Sequence, residues 1–127
     1  MDIESFFEGM PFTDLLGIEI TTASAGHAEG HLTMRPELSW NADRGMAHGG
    51  VSFALADTVG GAALVSLVEQ PVPTIDMRID YLEAGTGTLY AVADVRRQGG
   101  SIGVVDAEVT DEDGTTVADA RGVYKTE

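Results

Sequence analysis

The sequence predicts an α+β protein in which a curved antiparallel sheet wraps around one long central helix, and three observations carry that prediction. Gly49 to Glu69 is apolar on every side and rich in Ala and Gly, with Asp57 as the single charge before Glu69. At 1.5 Å per residue such a helix is roughly 30 Å long, and other structure must wrap it. Thr74 to Leu82 alternates polar Thr74, Asp76, Arg78 and Asp80 with apolar Ile75, Met77, Ile79 and Tyr81, the period of a strand with one buried face. Gly99-Gly100 and Asp111-Glu112-Asp113-Gly114 supply hairpin turns between further strands.

Taken in order, Phe6, Phe7 and Met10 mark a short first helix that stops near Gly9-Met10-Pro11, because Gly and Pro end helices. Gly17 to Met34 holds two short strands. Ile18 and Ile20 lie on one and Ala28, Leu32 and Met34 on the other, with a turn near Ala25-Gly26. Residues 35–47 read as a polar loop. After the central helix, Thr74 to Leu82, Leu89 to Gln98, Ile102 to Thr110 and Thr115 to Lys125 form four strands. With 127 residues and no linker, repeat or low-complexity tract, residues 1–127 are expected to form one domain.

Composition narrows the function. Twenty-one acidic residues face seven basic ones, a net charge of −14 that repels nucleic acid and anionic membrane surfaces. Lys125 is the only lysine beside six arginines. That pattern predicts adaptation to a high-salt cytoplasm, where the screening length at 1 M is about 3 Å. An ordinary acidic protein is the alternative. Cysteine is absent, which excludes a disulfide framework and a thiolate nucleophile. Asp57 interrupts the longest apolar stretch, Val51 to Val68, so no membrane span is expected. Met1-Asp2-Ile3-Glu4 lacks a basic secretion-signal region, so a cytoplasmic location is expected.

Candidate chemistry centres on Asn41, His48, Gly49, Gly50 and Asp57. A helix N-terminus presents unpaired N–H groups and the positive end of the dipole, and glycine lets a ligand oxygen approach them. That is oxyanion-hole geometry, although a glycine pair also serves a plain loop-to-helix turn. Asp57 tips the balance, because an unpaired buried carboxylate is costly and such positions tend to carry function. An Asp capping a neighbouring backbone is the structural alternative. Eight residues of helix separate Gly49 from Asp57 by about 12 Å along the axis and about 80° in azimuth. One helix cannot readily bring both to one carbonyl carbon. Two antiparallel copies in a symmetric dimer can, and Gly60-Gly61-Ala62-Ala63 suits close packing between them.

His27, Glu29 and His31 share one strand face by their spacing and could hold a metal. One short strand rarely supplies a whole site, and no further His or Cys is near, so an exposed polar face is the simpler reading and no metal site is expected. Gly85-Thr86-Gly87 lacks the strand-before, helix-after setting of a nucleotide loop and reads as a turn.

Asn41, His48-Gly49-Gly50, Asp57 in Phe53-Ala54-Leu55-Ala56-Asp57, the Thr74 to Tyr81 strand and Arg97-Gln98-Gly99-Gly100 together resemble the hot-dog-fold acyl-CoA thioesterases of the phenylacetate-pathway type. The resemblance covers nearly the whole chain. It implies hydrolysis of acyl-CoA without a metal or bound cofactor, CoA being part of the substrate. It also implies sites shared across a homodimer that commonly pairs into a homotetramer. By that resemblance the Gly49 N–H polarises the thioester carbonyl, and Asp57 of the partner subunit is general base or nucleophile. Asn41 would orient the nucleophile or the carbonyl, Thr74 would help place water, and His48 would hydrogen-bond near the thioester or fix the turn.

Coenzyme A is anionic, so Arg96 and Arg97 are the first candidates for phosphate contacts, with Arg44 and Arg78 behind them. Gly50 and Gly99 complete the expected CoA-contacting set. On an alternating strand Arg96 and Arg97 face opposite sides, and salt-bridging to the acidic surface is the competing role. Trp40, Met46 and Phe53 are candidates for an acyl or aryl pocket, or for dimer core. A small aryl or a short to medium acyl group is the expected substrate. A hot-dog hydratase or dehydratase, and a non-catalytic acyl-CoA-binding module, are the alternatives.

Overall fold

The computed structural model describes residues 2–127. Two short helices, α1 (Ile3–Glu8) and α2 (Pro11–Leu16), precede strands β1 (Glu19–Ser24) and β2 (His27–Thr33). A single 3-10 turn, Pro36–Leu38, leads into the small hairpin β3 (Ser39–Asn41) and β4 (Met46–Ala47). Helix α3 (Gly49–Val68) follows, then β5 (Thr74–Tyr81), β6 (Thr88–Gln98), β7 (Ile102–Thr110) and β8 (Thr116–Lys125). The main sheet runs β1-β2-β6-β7-β8-β5, and every neighbouring pair is antiparallel. Helix α3 touches all six of its strands, which a sheet achieves only by curling around the helix.

The core lies between that helix and the sheet. Leu55, Ala56, Val59, Ala63 and Leu64 of α3 and Leu32, Leu89, Ala93 and Val109 of the sheet are fully buried. Each buried leucine or valine contributes about 1.5–3 kcal/mol of transfer free energy. By length and apolar composition α3 is sufficient to cross a bilayer despite Asp57. Most of it is buried in this fold, which makes it the core helix.

The structure departs from the expectation in four places. The first helix is two, because Pro11 begins α2 instead of merely ending α1. A first-turn residue has no helical partner for its N–H, and proline's fixed φ is already helical. Next, the loop of residues 35–47 contains the β3–β4 hairpin, stitched by Ser39 Oγ at 2.7 Å from Asn41 O and 2.6 Å from Met46 O. Helix α3 is also not covered all round: Gly50, Phe53, Asp57 and Thr58 form a partly open stripe at helical spacing.

Finally, Gly60-Gly61-Ala62-Ala63 is buried inside its own subunit and makes no face for a second helix. A Cβ on Gly60 would lie 2.6 Å from the Tyr124 hydroxyl, so the glycine admits a side chain from β8 of the same chain.

Candidate active site

Asp57 projects from mid-α3 toward the first residue of β5. Strand β5 opens with a β-bulge: Thr74 pairs with Tyr124 and Asp76 with Val123, leaving Ile75 as the extra residue. In a regular strand Thr74 would share the outer face with Asp76, Arg78 and Asp80, as the alternation predicts. The bulge reverses the phase and turns Thr74 toward the helix. There its Oγ1 donates to Asp57 Oδ1 at 2.8 Å. Its ladder partner Tyr124, only 1% exposed, donates from its hydroxyl to the Asp57 backbone oxygen at 3.0 Å. Burial, reinforced by the nearby Asp57 carboxylate, holds the Tyr124 hydroxyl in its protonated, donating form.

A cleft of about 350 Å³ opens beside these three residues, with Phe7, Met10, Val65 and Val72 among its apolar walls. Trp40, Met46 and Phe53, the expected pocket residues, do not line it. The apolar side comes instead from the N-terminal helices and the far half of α3, segments that read simply as core.

At the other end of the site His48 caps α3, its Nδ1 accepting the Gly50 N–H at 2.8 Å. An accepting Nδ1 carries no proton, so the proton of the neutral ring sits on Nε2. The Gly50 N–H is therefore spent, and what Gly50 offers a ligand is space. The Gly49 N–H has no hydrogen-bond partner among the described residues and lies at the positive end of the helix. Tyr81 donates from its hydroxyl to Gly49 O at 2.7 Å, and a Cβ on Gly49 would lie 3.3 Å from that ring. Partial burial raises the Tyr81 hydroxyl above its ordinary pKa.

Thr74 and Tyr81 are the two ends of one eight-residue strand, and they hold Asp57 and Gly49 respectively. The helical separation expected between the two groups is thus built into the sheet beneath them. Asn41 joins neither group through a hydrogen bond. Its Oδ1 accepts the Asp43 N–H at 3.2 Å, and its carbonyl closes the β3–β4 turn that delivers His48.

The arginines are arranged differently from the expectation. A bulge in β6 places Val95 opposite Val105 and Arg97 opposite Val104, while Arg96 reaches Asp106. Val104 and Asp106 share one face of β7, so Arg96 and Arg97 both lie on the outer face and not on opposite sides. Arg96 is bound at 3.3 Å to Asp106, which also takes Arg121 at 2.9 Å, and Arg78 pairs with Asp80 at 3.2 Å. Arg97 and Arg44 have no ion pair among the described residues. Gly99 donates its N–H to Ile102 O at 2.8 Å and accepts from Thr126 Oγ1 at 3.1 Å, so both its backbone groups serve the turn.

On β2 both His27 nitrogens are engaged, Nδ1 with Asp94 and Nε2 with Glu29, each at 2.7 Å. Glu29, and then Asp94, raise its pKa by hydrogen bonding to the charged ring. His31 pairs with Glu19 at 3.3 Å. These contacts make a polar outer face of histidines set against carboxylates. Neither Tyr81 nor Tyr124 stands out in the sequence as a site residue, because an aromatic on a strand reads as core. The one sequence signal for Tyr124 is the Gly60-Gly61 gap in an apolar helix.

An amide free to hold an oxyanion and a threonine-braced carboxylate beside an apolar cleft are what hydrolysis of an acyl bond requires, and here a hot-dog fold carries them. Residues 44–118 match the family model of the thioesterase superfamily, and the chain belongs to that superfamily. Among its relatives is a Halobacterium salinarum protein named as a candidate esterase, 31% identical over 97% of this chain and 89% of its own. The medium/long-chain acyl-CoA thioesterase YigI of Salmonella typhimurium is 28% identical over 95% of this chain and 88% of its own. The acyl-coenzyme A thioesterase PaaI of Escherichia coli is 34% identical over 93% of this chain and 84% of its own. The solved structure of E. coli PaaI aligns with a TM-score of 0.87 at 32% identity, covering 97% of this chain and 88% of that one. The protein is a thioester hydrolase.

Proposed function

We propose that the protein hydrolyses acyl-CoA thioesters to free acid and CoA, in a homodimer whose two sites each combine Gly49 of one subunit with Asp57 of its partner. The observation that carries this reading is the placement of the open Gly49 amide and the Thr74-bonded Asp57 at opposite ends of β5. Strand β5 is an edge of the sheet, and Ile75 is 55% exposed, Tyr81 51% and, just past the strand's end, Leu82 56%. Exposed apolar side chains on an edge strand call for cover. A twofold antiparallel pairing of β5 with its copy sets the Thr74 end of one strand against the Tyr81 end of the other. Asp57 and the partner subunit's Gly49 then come together. Pairing of such dimers into a homotetramer completes the assembly.

In this mechanism the Gly49 N–H bonds the thioester oxygen more strongly as charge builds on it. Thr74 occupies Asp57 Oδ1 and leaves Oδ2 to take a proton from water, whose oxygen attacks the carbonyl carbon. The C–S bond then breaks and the CoA sulfur leaves, taking up the proton that Asp57 accepted from water. The His48 Nε2–H faces substrate, and Asn41 acts by shaping the turn before it. The acyl group enters the cleft lined by Val65 and Val72, and the free guanidinium of Arg97, with Arg44, meets the CoA phosphates while Gly50 and Gly99 leave room for them. No metal or cofactor takes part. The enzyme acts in a high-salt cytoplasm, a setting supported by the charge of −14 and by the single lysine.

Thiol release from a panel of acyl-CoA esters tests the reading. Turnover with a medium-chain or aryl ester is the expected result; tight binding of esters without thiol release would make this an acyl-CoA-binding module. A single turnover in ¹⁸O-water tests for covalent attack. Label confined to the product acid is expected, whereas label in Asp57 would mean an acyl anhydride opened by water at the Asp57 carbon.

A further inference from the structure

Among the described residues Tyr124 is the largest fully buried side chain, and its ring runs in a channel that glycines leave open. Cβ atoms on Gly60 and Gly122 would each come within 2.6 Å of it, and one on Gly61 within 3.7 Å. The channel carries a phenol hydroxyl from β8 to the backbone of α3. A phenylalanine would fill most of the same space without the cost of desolvating a hydroxyl, so the oxygen is retained for its bond. That bond ends on the carbonyl of Asp57.

Thr74 and Tyr124 are also partners in the β5–β8 ladder. From adjacent strands, one takes the carboxylate of Asp57 and the other its backbone oxygen. We propose that Tyr124 is a positioning residue: its hydroxyl anchors the turn of α3 that carries Asp57, so that the carboxylate meets Thr74 and the substrate in one orientation. The inference rests on the catalytic role of Asp57 proposed above.

The test is Tyr124→Phe, which removes the hydroxyl and keeps the ring. Misplacing a reacting group by an ångström costs up to about a hundredfold, so kcat is expected to fall about tenfold or more while KM stays within about twofold. Thr74→Val lowers kcat as well. Because both residues act through Asp57, the double variant should lose less than the product of the single losses. A crystal structure of Tyr124→Phe should show Asp57 in more than one rotamer or its bond to Thr74 broken. Unchanged kcat, or a rise in KM alone, overturns the inference. If the wild type releases no thiol from any ester, the proposed function fails, and the crystal structure still decides: Asp57 keeping its rotamer and its Thr74 bond overturns the positioning role.

Discussion

Thr74 Oγ1 reaches Asp57 Oδ1 at 2.8 Å because Ile75 bulges out of strand β5. Without the bulge the threonine would stand on the outer face beside Asp76, and the carboxylate would lose its donor. Asp57→Asn keeps an acceptor for Thr74, but a carboxamide is not a base and cannot take the proton from water that the proposed mechanism requires. Its kcat is expected to fall about 10²–10⁴-fold with ester binding retained. Stopped-flow thiol release and calorimetric binding measure the two quantities, and wild-type turnover in the variant would take Asp57 out of the chemistry.

Gly60→Ala places a methyl group 2.6 Å from the Tyr124 hydroxyl. Overpacking of this kind costs about 1–3 kcal/mol. A drop in Tm of roughly 3–10 °C is expected by calorimetry. Adding Tyr124→Phe removes the clashing oxygen, so the double variant should recover part of the loss.

Arg97 and Arg96 share a face but not a role. Arg96 is held by Asp106, whereas Arg97 has no ion pair among the described residues. Arg97→Gln is therefore expected to raise KM for acyl-CoA several-fold while leaving kcat near wild type. Arg96→Gln should change either parameter less than twofold; the reverse ranking would move the phosphate contact to Arg96.

The His27 bonds to Glu29 and Asp94 raise its pKa in the folded protein above 6.5, its value when unfolded. A raised histidine pKa stabilises the fold fully below the unfolded value and loses that contribution as pH rises through the folded one. The Tm difference between wild type and His27→Gln is therefore expected to be largest on the acid side and to shrink with rising pH. A difference that grows instead would show that the two carboxylates do not favour the protonated ring.

A charge of −14 on 127 residues is self-repelling in dilute buffer. Raising KCl from tens of millimolar to molar concentrations should raise Tm and sharpen the unfolding transition. A melting curve indifferent to salt would place the protein among ordinary acidic ones.

The sequence by itself determined the α+β architecture, the central helix and the chain order of the six main-sheet strands, and it singles out His48-Gly49-Gly50 and Asp57 as the candidate centre. These are local properties, since burial writes its period into neighbouring residues and a helix end is marked by the residues at that end. Tertiary structure alone decided that Thr74 faces the helix and that Arg96 and Arg97 share a side, because a bulge depends on the register of the strand opposite. It also decided that Gly60 accommodates Tyr124 instead of a second helix. The hydroxyl that reaches Asp57 lies 67 residues further along the chain, and only the closure of β8 over α3 brings the two together.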